Sequence, residues 1–196
     1  MRRLINTGED DNSREHYNKI WKPRFLNKGL DMSQPQRAER LLAKFKGGRF
    51  LEVGCGVAPH CVMASKIGES WGIDISDELI TLLREAYPQV NYLVGNINDL
   101  PIKDNYFDCV AIGEVLEHVE DPEAVLKELF RVLKPEGWLS LSTPNNDNGN
   151  CAPIEHIWSY LQVDIQNLLG KFGKNPEATI LDETNHTYII GYAQKI

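Results

Sequence analysis

From Arg49 onward the apolar positions fall into two alternating rhythms. Short continuous apolar runs predict strands buried on both faces; stretches with apolar residues every three or four positions predict helices with one buried face. Arg49–Gly54 (RFLEVG) predicts a strand and Pro59–Ile67 a short helix. Trp71–Ile75 (WGIDI) predicts a second strand, after which Ser76 can cap a helix whose first turn carries Asp77 and Glu78. Leu79, Ile80, Leu82, Leu83 and Ala86 form that helix's apolar face. Asn91–Val94 and Phe107–Ile112 predict the third and fourth strands. Asp121-Pro122 then opens a helix, with Val125, Leu126, Leu129, Phe130 and Leu133 at helical spacing until Pro135 and Gly137 stop it. Trp138–Ser142 predicts a fifth strand, His156–Phe172 a helix, and Thr179–Leu181 with Tyr188–Ala193 two closing strands.

Strand–helix alternation on this scale predicts an α/β fold, a doubly wound and mainly parallel sheet covered on both faces. Residues 182–187, between the last two strands, are too few for a parallel crossover, so those strands should pair as an antiparallel hairpin. The first ~45 residues stand outside the alternation. They predict an N-terminal helical extension or lid over residues 1–46, joined at the hinge Gly47-Gly48 to a binding domain over residues 47–196.

Composition narrows the class. Hydrophobic residues make up 42% of the 196 and charged residues 25%, which fits one soluble domain. No apolar run approaches the ~18 residues of a membrane helix, and Met1–Asn12 lacks the apolar stretch of a secretory signal. Cys55, Cys61, Cys109 and Cys151 lack zinc-like spacing and read as reduced thiols, so the expected compartment is the cytoplasm. A net charge of −7 with no Lys/Arg-rich block argues against nonspecific nucleic-acid binding. The expected partner is a small molecule, for a monomer or homodimer.

The chemistry-bearing motif lies at the end of the first strand, Glu52-Val53-Gly54-Cys55-Gly56. Glycines at 54 and 56 allow a sharp turn and close approach of a ligand. Asp74 follows Gly54 by 20 residues, where a carboxylate can accept both hydroxyls of a ribose. The pattern fits an adenosine-containing ligand. A dinucleotide calls for a third glycine to seat its pyrophosphate, and here that position is Pro59.

FLEVGCGVAPH resembles the first motif of class I S-adenosylmethionine-dependent methyltransferases, and GIDIS their ribose-binding strand end. The stretch from GNINDLPIKDNYFDC to LKPEGWLSLSTPN is similar to the rest of that domain, in order, to Asn145. The resemblance implies a Rossmann-like seven-stranded sheet with an antiparallel last strand. It implies S-adenosylmethionine as cofactor and S-adenosylhomocysteine as product. By position, Glu52 would sit near the donor's amino group, Gly54 and Gly56 against its methionine and adenosine parts, and Asp74 at its ribose. Ile75 would pack on adenine, Asn96 (often Asp in the family) would pair with its amine, and Ile97 would offer its backbone N–H. Gly113 and Glu114 would close the pocket.

Methyl transfer is an in-line displacement in which alignment and desolvation supply most of the catalysis. A hydroxyl acceptor gains from a general base, and His118 and Glu114 are the catalytic candidates. If the segment is helical, Glu114, Glu117 and His118 share one face, and with His156 they offer ligands for a divalent ion. That set is similar to the metal site of RNA 3′-end 2′-O-methyltransferases, and ubiquinone-type O-methyltransferases carry a similar EVLEHV stretch; metal-free relatives share it too, so the expectation is no bound metal. Tyr17, Trp21, Trp158 and Tyr160 are candidate pocket aromatics, and Asn145–Asn150 a candidate substrate loop. The reading is methyl transfer to a hydroxyl or amine of a small metabolite. Its rivals are a metal-assisted RNA methyltransferase, a non-catalytic cofactor-binding domain and a nicotinamide-dependent oxidoreductase.

Overall fold

The computed structural model describes residues 1–3, 13–57, 59–145, 156–183 and 186–196. Seven strands form one sheet: β1 (Arg49–Val53), β2 (Glu69–Asp74), β3 (Asn91–Val94), β4 (Phe107–Gly113), β5 (Leu133–Pro144), β6 (Lys174–Glu183) and β7 (His186–Gln194). Their order is β3-β2-β1-β4-β5-β7-β6. The first five run parallel, and β7 pairs antiparallel with both β5 and β6. The last strand is thus the antiparallel one, inserted before the edge. Six helices accompany them among the described residues: α1 (Arg14–Lys28), α2 (Pro35–Leu42), α3 (His60–Ala64), α4 (Asp77–Ala86), α5 (Pro122–Val132) and α6 (Gln162–Gly170).

Period-two alternation along the strands fills both faces. Leu51, Val53, Ile73, Val110, Ile112, Leu139 and Leu141 face α5 and α6, against Val125, Leu126, Leu129 and Ile165. Phe50, Cys109 and Ala111 point the other way, onto Leu42, Phe45 and Ala64. On that same side α4 packs Leu79, Ile80 and Leu83 with Tyr92 and Cys61. Cys55, Cys61 and Cys109 are buried free thiols; Cys151 lies outside the described residues.

The local signals that worked are visible as caps. The Ser76 hydroxyl accepts from the Leu79 N–H at 3.2 Å, and Asp121 Oδ1 accepts from the N–H groups of Glu123 and Ala124 at 3.0 Å each.

Three expectations are corrected. The helix predicted over His156–Phe172 forms only over Gln162–Gly170. Upstream, Trp158–Ser159 pairs antiparallel with Arg2–Arg3, Tyr160 bridges to Asn145, and the Asp164 carboxylate accepts from the Leu161 N–H at 3.0 Å to set the helix start. The fifth strand begins at Leu133, straight from the helix end, and carries Pro135 and Gly137 within it. The sixth runs over Lys174–Glu183, much longer than Thr179–Leu181; its Pro176 is tolerated on an edge strand, inside a register shift between Lys174 and Glu177.

The N-terminal region divides in two. α2 belongs to the body: Ala38, Leu41, Leu42 and Phe45 are buried in it, and the Glu183 carboxylate accepts from the Gln36 and Arg37 N–H groups at 2.7 and 2.9 Å. α1 buries no residue fully. Among the described residues no helix is long and apolar enough to cross a membrane.

Candidate active site

The chain starts in mid-sheet at β1, runs outward to β3 and returns to β4 on the other side of β1. The strand order reverses between β1 and β4, and in such sheets ligands bind beyond the carboxyl ends at that point. A cavity of about 630 Å³ lies there. Its floor is made by four strand ends: Gly54–Gly56 after β1, Asp74 and Ile75 at β2, Asn96 and Ile97 after β3, Gly113 and Glu114 at β4. Every cofactor-binding candidate except Glu52 therefore lines this cavity, and so do His118 and Glu114.

Gly54 and Gly56 both have positive φ, +67° and +43°. A Cβ at Gly54 would lie 2.5 Å from Val115 Cγ2, so what forbids a side chain there is the packing of the β4 loop as well as the backbone conformation. Gly54→Ala should destabilise the fold by about 2–3 kcal/mol, read from denaturant midpoints. Val115→Ala in the same chain should recover the steric part alone; complete recovery would refute a backbone contribution.

Asp74 is buried, with Oδ2 accepting from the Gly56 N–H at 2.8 Å and Oδ1 from the Ser76 N–H at 2.9 Å. Burial raises its pKa while these two N–H groups oppose the rise. The carboxylate thus locks the glycine turn to the start of α4 at the wall of the cavity. Asn96 Oδ1 accepts from the Asn98 N–H at 3.0 Å, holding the loop after β3 in a tight local turn.

Glu52 is placed differently from its expected position at the donor's amino group. It lies off the cavity lining, 1% exposed, with one oxygen bonded to His60 Nδ1 and the other accepting from the Cys61 N–H at 3.2 Å and Sγ at 3.0 Å. It fixes the first turn of α3 and so orients His60, which does reach the cavity. The strand's alternation carries the reason: Phe50 and Glu52 point to the α3 side, Leu51 and Val53 to the other.

After β4 the chain does not continue as a helix. Glu114 has φ +54°, and a single 3-10 turn covers Leu116–His118. This separates the candidate metal ligands. Glu114 turns toward α2, its Oε1 accepting from Ser142 Oγ at 3.1 Å and lying 3.7 Å from Arg37 Nη1. Glu117, His118 and His156 instead converge, with one ligand atom each inside a 4.8 Å span. The His118 and His156 rings meet edge-to-face at 4.7 Å. Glu117 Oε1 and His156 Nδ1 are buried with no hydrogen-bond partner. Burial pushes Glu117 well above the usual carboxylate range, reinforced by the charge of Glu114, and pushes His156 down to about 4. Glu114 is raised too, by burial, against the pull of Arg37.

Residues 51–141 match the family model described as a methyltransferase domain. The chain carries a methyltransferase domain. Over 136 residues the chain is 35% identical to a ubiquinone biosynthesis O-methyltransferase of Xanthomonas oryzae pv. oryzae, an alignment covering 65% of this chain and 57% of the relative. The chain thus spans less than two thirds of the curated relatives it matches. Among solved structures, phosphoethanolamine N-methyltransferase 2 of Haemonchus contortus, in complex with S-adenosyl-L-methionine, aligns with a TM-score of 0.75 at 14% identity, covering 94% of this chain and 58% of that one. The [4+2]-cyclase SpnF aligns at 0.75 and 16%, covering 98% of each chain. These likenesses show the methyltransferase fold.

The family model starts at β1, and the methyltransferase-domain cavity takes the rest of its wall from upstream. Tyr17, Ile20, Trp21 and Arg24 of α1, Asp31 beyond it and Arg37 of α2 line it. Trp21 lies over the glycine turn, its ring atoms 3.5–3.8 Å from where a Gly56 Cβ would stand, and stacks with Tyr17 at 6.4 Å. Of the four candidate pocket aromatics, Tyr17 and Trp21 line the cavity. Trp158 donates to the Val119 carbonyl and Tyr160 to that of Leu116, as parts of the scaffold. Sequence reasoning missed Arg24, Asp31, Arg37 and His60; the Gln34-Pro35 helix start was the one available signal for Arg37, and it marks the helix without the role. Residues 146–150 of the candidate substrate loop lie outside the described residues.

Proposed function

We propose that this protein transfers the methyl group of S-adenosylmethionine to a hydroxyl or amine of a small metabolite. The observation that carries the reading is the buried Asp74 carboxylate, joined by a hydrogen bond to the positive-φ glycine turn on the floor of a cavity large enough for a nucleoside. Donor binding is assigned to Gly54, Gly56, Asp74, Ile75, Asn96, Ile97 and Gly113. Asp74 accepts the ribose hydroxyls, and Ile75 and Ile97 bracket the base. Glu114 at the end of β4 and Arg37 of α2 beside it match the ammonium and carboxylate of the methionine portion. When bound, the donor supplies a methyl group activated by its sulfonium charge. The chain's own residues bind both partners, exclude water beneath Trp21 and Tyr17, and take a proton from the acceptor at His118. Glu52 acts through His60 and the first turn of α3 as a positioning residue.

A thermal melt with S-adenosylmethionine, S-adenosylhomocysteine and NAD in separate samples tests the donor assignment. At 100 times Kd a ligand stabilises by about 2.7 kcal/mol, roughly 5–10 °C for a domain this size. The two sulfur nucleosides should shift the midpoint and NAD should not. A shift with NAD alone would replace this reading with the oxidoreductase; donor binding without turnover of any hydroxyl or amine pool would favour a binding domain, as fold alone does not fix chemistry.

A lid role is assigned to α1 alone, since α2 is part of the core. α1 is held at the start of α4 by polar contacts: Asn18 bonds Ser76 Oγ and Asp77, and Lys22 pairs with Glu78.

The buried, unpartnered Glu117 Oε1 and His156 Nδ1, beside His118, favour a second element, a divalent ion held by these three residues. Two buried polar atoms without hydrogen-bond partners cost free energy that a cation would recover. Such an ion would polarise an acceptor oxygen, with His118 then a ligand in place of the base. Chelation should abolish turnover, with rescue by a divalent metal; activity unchanged in chelator would end the idea.

A further inference from the structure

The charges around the cavity restrict what can be methylated. All 21 Lys and Arg residues of the chain fall among the described residues, so the set of cations is complete. Two of them, Arg24 and Arg37, line the cavity, and both stand against carboxylates. Arg24 donates to Asp31, with its guanidinium 5.4 Å from the Trp21 ring centre. Arg37 stands beside Glu114 and, on the reading above, serves the donor's carboxylate. At the rim, Arg3 is bound to Glu120 at 2.9 Å. The acids at the wall outnumber these cations: Asp31, Asp74, Glu114 and Glu120 line it, and Glu117 lies behind His118. Beyond the donor's floor, Ile20, Trp21, Val119 and Ile157 give the wall an apolar stretch, with His118 beside it.

An acceptor bearing a phosphate or carboxylate would lose water against this wall, meet like charge and find no uncommitted guanidinium or ammonium. We infer that the methyl acceptor is a compact, largely apolar molecule that is neutral or cationic, and that the cavity selects against anionic acceptors. The inference rests on the methyl-transfer reading, because that reading places the donor on Arg37.

The test is a charge series on one ring. Protein saturated with S-adenosylhomocysteine is titrated in chelator, so that no divalent ion contributes, with p-cresol, tyramine and 4-hydroxyphenylacetate. p-Cresol and tyramine should bind at least tenfold more tightly than 4-hydroxyphenylacetate. Glu120→Lys, an exposed rim change that reverses one charge, should narrow that gap below threefold. Equal or tighter binding of the anion, a gap unmoved by Glu120→Lys, or no binding of any of the three at millimolar concentration overturns the inference. Failure of S-adenosylhomocysteine itself to bind, measured first, would instead sink the methyl-transfer reading.

Discussion

Asp74→Asn is expected to weaken S-adenosylhomocysteine binding about 100-fold, measured by calorimetry, while the protein stays folded. Hydrogen bonds to a charged group are worth about 1.5–3 kcal/mol each, and the amide retains one acceptor where the carboxylate offered several. The fold loses less. Burial opposes the ionised state of Asp74, so removing its charge relieves desolvation. Against that, one of the Gly56 and Ser76 N–H groups loses its acceptor, for a net cost of about 1–2 kcal/mol. The pH dependence has a definite sign. The folded-state pKa lies above the ordinary value, so Asp74 takes up its proton at a higher pH than a free carboxyl. Donor affinity should therefore begin to fall, on acidification, above the usual carboxylate range, and Asp74→Asn should remove that dependence. An unchanged Kd in the variant would show that Asp74 only locks the glycine turn.

His118→Ala separates chemistry from binding. It should lower kcat with a hydroxyl acceptor by ~10²–10⁴ and leave the donor Kd within about twofold. The side chain stands on the 3-10 turn beyond β4, while the donor's proposed contacts come from the strand ends and Arg37 of α2. A lowered kcat beside an unchanged donor Kd is a split that a merely structural role would not produce. A kcat within a factor of three of the parent would remove His118 from the reaction and leave alignment as the whole of the catalysis.

Local chemistry made much of this fold legible. Ser76 and Asp121 cap helices as their sequence contexts indicate, and the first four parallel strands sit where apolar runs predict them. What failed was decided by partners distant in sequence. Trp158 and Tyr160 belong to an apolar stretch of helical length, yet the first is drawn into a two-residue pairing with Arg2–Arg3 and the second bonds to Leu116. Nothing local distinguishes those outcomes. The floor of the site was legible because the chain must turn sharply at each strand end, and Gly54, Gly56 and Asp74 are residue types that such turns and a ribose require. Its roof was legible only in part: Tyr17 and Trp21 stood out as pocket aromatics, whereas Arg37 reaches the cavity from a helix with no motif of its own. Glu114 shows a third kind of miss, since one residue in the left-handed region broke the helical face that would have joined it to Glu117 and His118.

The absence of any fully buried residue in α1 has a consequence for the order in which the molecule comes apart. Its amides should exchange with solvent deuterium through a small local opening, well before those of β1 and β4, whose exchange reports global unfolding. Because Trp21 covers the cavity, a bound nucleoside should slow exchange in α1 more than it slows exchange in α6, on the opposite face of the sheet. The least protected helix of the free protein would thus report most sensitively on whether its site is filled.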